Sequence, residues 1–171
     1  MGLPEIFISF QTAAVSAITR SARGVLAVAV KDATAGGAAE AAYKSLAEVP
    51  EDKFSPENYR LLKLAFLAAP TKVWVLRVGE DAEKTYQALE RLRFDWLAAP
   101  GLEDARVMSF IKTLRSGGRG VKAVVANAKA PDCEGIVNLC VSGLTLEDGA
   151  VEAKDYAVRV AALLAALPLT R

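Results

Sequence analysis

The stretch SPENYRLLKLAFLAAPTKVWVLRV, residues 55–78, decides the fold. It opens as a helix. Ser55 suits the cap, Pro56 stands at the first helical position, where its missing N–H is not needed, and Glu57 puts an acid in the first turn. Tyr59, Leu62, Phe66 and Ala69 recur at helical spacing, which predicts a buried face, and Pro70 stops the helix. Lys72-Val73-Trp74-Val75-Leu76-Arg77-Val78 then reads as a strand, because β-branched and aromatic side chains pack well on a pleated surface.

On the C-terminal side the alternation continues. Asp81 caps a predicted helix with Tyr86, Leu89 and Leu92 inward, a short strand follows near residues 94–98, and Pro100-Gly101 breaks it. The next predicted helix presents Val107, Ile111 and Leu114 and ends at Gly117-Gly118. Residues 121–126 and 136–141 read as strands, and Asp148-Gly149 as a hairpin turn. A last helix is predicted to turn Tyr156, Val160, Leu163 and Leu167 inward, with Pro168 as its stop. On the N-terminal side, residues 24–30 form a near-continuous apolar run, the mark of a strand buried on both faces. The Ala-rich residues 38–49 fit either helix or strand. Strands alternating with helices over short connections predict an α/β fold with a mainly parallel sheet flanked by helices.

The first ten residues stand apart. Pro4 precedes Glu5-Ile6-Phe7-Ile8-Ser9-Phe10, a strand pattern that places Ile6, Ile8 and Phe10 on one face. Residues 11–21, rich in Ala, Thr and Ser, separate this strand from the body. An apolar strand held apart in this way needs an edge to pair with, on its own sheet or on another subunit.

Composition narrows the functional classes. Of 171 residues, 53% are hydrophobic, enough for one packed core, and the net charge of +1 gives no global attraction for nucleic acid or an anionic membrane. The longest apolar run, residues 160–169, is half of what a bilayer requires. The start of the chain reaches Glu5 with no basic region, so no secretory leader is expected. There is no histidine, which removes every Ser-His-Asp and Cys-His site and the commonest metal ligand. Cys133 and Cys140 lack a third ligand and read as reduced thiols.

Two motifs remain. Ser109-Phe110-Ile111-Lys112 matches S-x-x-K, but its companion motifs are missing, which favours a solvated helix face. Ser116-Gly117-Gly118-Arg119-Gly120 lies among Lys112, Arg115, Arg119 and Lys122, a candidate basic surface. A phosphate loop follows a strand and opens a helix; this one closes a helix and opens a strand, as a C-cap does. No cofactor is expected.

The order of several segments resembles the short tail sheath proteins of contractile phages and of phage-like particles. They include Gly2-Leu3-Pro4 before the first strand, Arg20-Ser21-Ala22-Arg23-Gly24, and Phe54-Ser55-Pro56-Glu57-Asn58. Trp96-Leu97-Ala98-Ala99-Pro100-Gly101, Cys133-Glu134-Gly135-Ile136-Val137-Asn138 and Asp155-Tyr156-Ala157-Val158-Arg159 follow in the same order. The resemblance implies a structural subunit and not an enzyme, with a subtilisin-like α/β body without proteolysis at residues 23–171, and an extended N-terminal β arm and linker at residues 1–22. It implies that Leu3, Ile6, Phe7, Ile8 and Phe10 form an intersubunit strand. Implied partners are other sheath subunits in hexameric rings, the tail tube protein and the baseplate. The place implied is the virion tail sheath, made in the host cytoplasm, and neither nucleic acid nor membrane is expected as a partner. Sheath proteins continue into a C-terminal domain that carries acceptor strands, so a cut at Arg171 and a monomer or weak oligomer are expected. The alternatives are a small α/β enzyme or nucleotide-binding protein, and an adaptor that binds by strand addition.

Overall fold

The computed structural model describes residues 24–34, 36–127, 131–146 and 149–167. The expected residues Leu3, Ile6, Phe7, Ile8 and Phe10 lie outside them, as does the linker at residues 11–21. The elements run β1 (Val25–Lys31), β2 (Glu40–Tyr43), α1 (Pro56–Phe66), β3 (Lys72–Val78), α2 (Ala82–Arg91), β4 (Trp96–Ala98) and α3 (Asp104–Ser116). They continue with β5 (Lys122–Val125), β6 (Ile136–Asn138), β7 (Leu144–Leu146), β8 (Gly149–Val151) and α4 (Ala153–Ala166).

The sheet order is β2-β3-β1-β4-β5-β6. β3, β1, β4, β5 and β6 are parallel, and β2 is an antiparallel edge. The α/β expectation therefore holds, with a mainly parallel sheet. β1 is central, and its apolar run is buried on both faces: Leu26 to Val30 have no exposed surface. On one face Ala27, Ala29 and Leu76 pack with α2 and α3 through Leu89, Val107 and Ile111. On the other, Leu26, Val28, Val73 and Val75 pack with α1 and α4. β7 and β8 form the expected hairpin, Leu146 opposite Gly149.

Local chemistry sets the helix ends. Ser55 Oγ accepts from the Asn58 N–H, and Asp81 Oδ1 from the Glu83 N–H, the caps anticipated from the sequence. The glycine-rich loop after α3 is a C-cap, with Gly118 at φ 86° and the Arg119 N–H on the Leu114 carbonyl.

Three expectations need correction. In α4 the buried residues are Ala157, Val158, Ala161, Ala162 and Ala165, while Leu163 and Leu167 are 47% and 62% exposed. Alanines bring the helix axis close to β1, β4 and β5, and the bulkier leucines are turned outward. In α1 the buried arc is Asn58, Leu61, Leu62, Leu64 and Ala65; Tyr59 and Phe66 are half-buried, and Ala69 is exposed beyond the helix end. Contact with both the sheet and α4 widens that arc. The sixth strand stops at Asn138, short of Val141, which is exposed.

Candidate functional site

In a doubly wound sheet, ligands bind beyond the carboxyl ends of the strands where the connections reverse direction. Here that point lies between β1 and β4, because the chain passes from β1 to β3 on one side and then to β4 on the other. The crevice is filled by backbone. Gly101 donates its N–H to the Ala29 carbonyl at 2.9 Å, and a Cβ at Gly101 would stand 2.5 Å from the Lys31 nitrogen. Lys154 on α4 reaches over and donates to the Leu102 carbonyl at 2.6 Å. Ala99, Pro100, Val124 and Ala157 close in around them and leave no water-sized cavity.

The polar residue at this end of β1 is turned away from the crevice. The Asp32 side chain is fully buried and accepts from the Ser55 N–H (3.0 Å), the Asn58 amide (2.8 Å) and the Thr34 N–H (2.8 Å). Burial alone would push its carboxyl up. The hydrogen bonds from Ser55, Asn58 and Thr34 outweigh burial and hold it well below the usual carboxylate range. Arg77 stands 3.8 Å away, donates to the carbonyls of Thr34 and Lys53, and lies over the Phe54 ring. The cluster pins the segment between β1 and α1 to the top of the sheet. The Arg77 Nη atoms are engaged in it, and its Nε is buried without a hydrogen-bond partner.

The residues of the candidate basic surface are largely spoken for. Arg115 pairs with Glu134 and donates to the Val121 carbonyl. Arg119 donates to the carbonyls of Glu90 and Leu92, the last turn of α2, and lies 5.3 Å from the Phe94 ring centroid. Lys122 stacks over Trp96, and Lys112 is exposed. Ser109 donates to the Ala105 carbonyl, as a solvated helix serine does. Cys133 is half-buried and Cys140 exposed. Among the described residues, no group of three His, Cys, Asp or Glu could hold a metal ion, and no helix is long and apolar enough to cross a membrane.

What the sequence reading missed lies at the foot and the edge of the sheet. Asp95 Oδ2 accepts from the N–H groups of Gly24 (2.8 Å) and Val25 (3.0 Å), which fixes where the chain joins β1. β2 is an edge strand, and beside it a groove of about 640 Å³ runs along α2. Leu76 and Ala88 line it together with Glu40, Lys84, Thr85 and Arg91. An acid inside the strand predicted near residues 94–98 was the one available signal for Asp95; alanine carried none for β2.

The described residues thus define an α/β domain with a mainly parallel sheet, a closed switch-point crevice and an edge strand at β2. Comparison with known proteins finds similarity to phage tail sheath proteins. The chain is 32% identical to a tail sheath protein of Clostridium phage phiCD119, over 99% of this chain and 50% of that protein. It thus spans half the length of the curated relative it matches. The fold is that of the sheath tail protein from Desulfitobacterium hafniense, with a TM-score of 0.71 at 14% identity over 95% of this chain and 62% of the other. The sheath tail protein from Listeria innocua gives a TM-score of 0.68 at 17% identity, over 85% and 57%. No protein-family model matches the chain.

Proposed function

We propose that this chain serves as a structural subunit, or the N-terminal part of one, in the contractile tail sheath of a phage or phage-like particle. The carrying observation is the 32% identity to a tail sheath protein along 99% of this chain. The sealed crevice between β1 and β4 supports a structural role over an enzymatic one. In this reading residues 23–171 are the sheath body, of the subtilisin-like type, and residues 1–22 its arm and linker.

The mechanism is polymerisation by strand exchange. Leu3, Ile6, Phe7, Ile8 and Phe10 add a strand to a neighbouring subunit: main-chain hydrogen bonds supply affinity, and the alternating side chains set the register. Residues 11–21 tether that strand to its own body as rings of subunits shift around an inner tube. Contraction then moves a metastable lattice to a more compact one, with no nucleotide consumed. Other sheath subunits, the tail tube protein and the baseplate are the partners, and the virion tail is the place of action.

Deleting residues 1–10 tests this reading. The body should keep its circular dichroism and unfolding midpoint, while association with the full-length sheath protein, measured by sedimentation, is lost. Unfolding of the shortened body would show the strand to be internal and overturn the arm. Titration with nucleotides in a thermal-shift assay separates the enzymatic alternative: a saturable shift would count against a purely structural role.

A further inference from the structure

All four helices run from the top of the sheet to its foot. α1 starts beside Asp32 at the end of β1, and α2 and α3 each link two parallel strands. α4 starts with Lys154 at the Leu102 carbonyl and ends with Ala165 against Gly24. Acids gather where the helices start: Asp81 and Glu83 at α2, Glu103 and Asp104 at α3, Glu152 and Asp155 at α4. Bases gather at the other end: Arg91 and Arg93 at the close of α2, Arg115 and Arg119 at the close of α3, Lys72 and Lys122 opening β3 and β5. Helix capping explains part of this. It does not explain Arg93, Lys72 or Lys122, which lie outside the helices; the two lysines stand 4.6 and 5.3 Å from the ring centroids of Trp74 and Trp96.

Neither end is neutralised from within. At the foot the acids are mostly committed: Asp95 holds the N–H groups of Gly24 and Val25, and Glu134 pairs with Arg115. Arg119 donates to carbonyls, which leaves its charge uncancelled. Arg91 and Arg93 are exposed and enter no ion pair among the described residues. At the top the bases are the committed groups: Arg106 pairs with Glu83, and Lys154 is held by the Leu102 carbonyl. Glu103 and Glu152 are exposed and, among the described residues, enter no ion pair. Burial first, and then the Glu152 and Glu57 carboxylates, push the Asp155 carboxyl up. Glu90 at the foot and Lys84 at the top are outnumbered.

We propose that the basic foot of this domain docks on the acidic top of a second copy of the chain. The occupant follows from charge complementarity: one chain carries both surfaces, at opposite ends of one sheet, while its net charge is only +1. A nucleic acid drawn to the foot would be repelled by the top. The contact deepens the reading of this chain as an assembling subunit and rests on it, but uses no residue of the arm. It is head-to-tail. A pair of copies leaves one foot and one top free, so further copies add in a row or close into a ring. Complementary charge of this kind sets orientation and encounter rate more than affinity, and salt screens it.

Sedimentation of the full chain tests the contact. Between about 20 mM and about 0.5 M salt the screening length falls from about 20 Å to about 4 Å, and self-association should weaken several-fold. At the lower salt, Arg91→Glu with Arg93→Glu should lower association several-fold, as should Glu103→Lys with Glu152→Lys, each at unchanged circular dichroism. All four changes in one chain reverse both ends and should restore association. They also restore the net charge, so a control joins the two arginine changes to Glu40→Lys and Glu48→Lys on the β2 side; it should stay dissociated. No association at the lower salt, association indifferent to salt or to the paired changes, or equal recovery in the control would overturn the proposal. Main-chain strand pairing withstands salt, so the deletion of residues 1–10 is read at about 0.5 M. If that deletion abolishes association with the full-length sheath protein while the charge variants change nothing, strand exchange stands and this contact falls. If the charge variants behave as expected while the deletion changes nothing, this contact stands without the arm.

Discussion

The side-chain amide of Asn58 donates to the buried carboxylate of Asp32 at 2.8 Å, tying the first turn of α1 to the end of β1. The same amide also reaches the Lys31 carbonyl at 3.0 Å. Asp32 is the one fully buried carboxylate in a described ion pair, and its hydrogen-bond donors come from a loop, a helix cap and a helix.

Asn58→Ala should lower the unfolding free energy by about 1.5–3 kcal/mol, the range for losing a hydrogen bond to a charged group. Urea unfolding at pH 7 measures it. A change within error would mean that Asp32 is satisfied without Asn58.

Asp32 also sets an acid dependence. Its folded-state pKa lies below the unfolded value of about 3.9, so near pH 4 the unfolded chain binds more protons. The stabilisation is complete well above pH 4 and fades as pH falls through that value towards the folded-state pKa. Asp32→Asn should therefore cost stability at pH 7 and give a flatter curve below pH 5. A parallel offset at every pH would contradict this assignment.

Gly101→Ala should destabilise by about 1–3 kcal/mol, the usual cost of overpacking a tight site. The new Cβ meets backbone at Lys31 and Val30, not a side chain that can swing aside. Thermal unfolding reads the effect. Wild-type stability in this variant would mean that the switch-point crevice is looser than the close approach of Gly101 to β1 implies.

The two sides of α4 give opposite predictions. Ala161 is fully buried against the sheet, so Ala161→Leu should cost about 1–3 kcal/mol. Leu163 is half exposed, so Leu163→Gln should stay within about 0.5 kcal/mol of wild type. The reverse ranking would restore the face expected from hydrophobicity.

That reversal shows where the sequence was and was not legible. β1, β3, α1, α2 and α3 carried strong local chemistry: an unbroken apolar run, a Ser-Pro start, an Asp cap and a Gly-Gly stop. Their positions followed from it. α4 was placed but turned the wrong way, because ranking by size favours leucine, and close approach to a sheet selects alanine. β2 stayed ambiguous for a related reason: Glu40-Ala41-Ala42-Tyr43 has little side chain with which to state a preference, and pairing with β3 decided it. The cluster around Asp32 depends on Ser55, Asn58 and Arg77, which only the tertiary fold brings to it. The relation to tail sheath proteins was legible in the order of short segments, none of them decisive singly.

Immunogold electron microscopy of tail particles from the strain that makes this chain tests the central claim most directly. With an antibody raised against residues 24–167, gold should lie along the contractile sheath, in extended and contracted tails alike. Gold confined to unassembled material, or to any part of the particle other than the sheath, would contradict a sheath subunit.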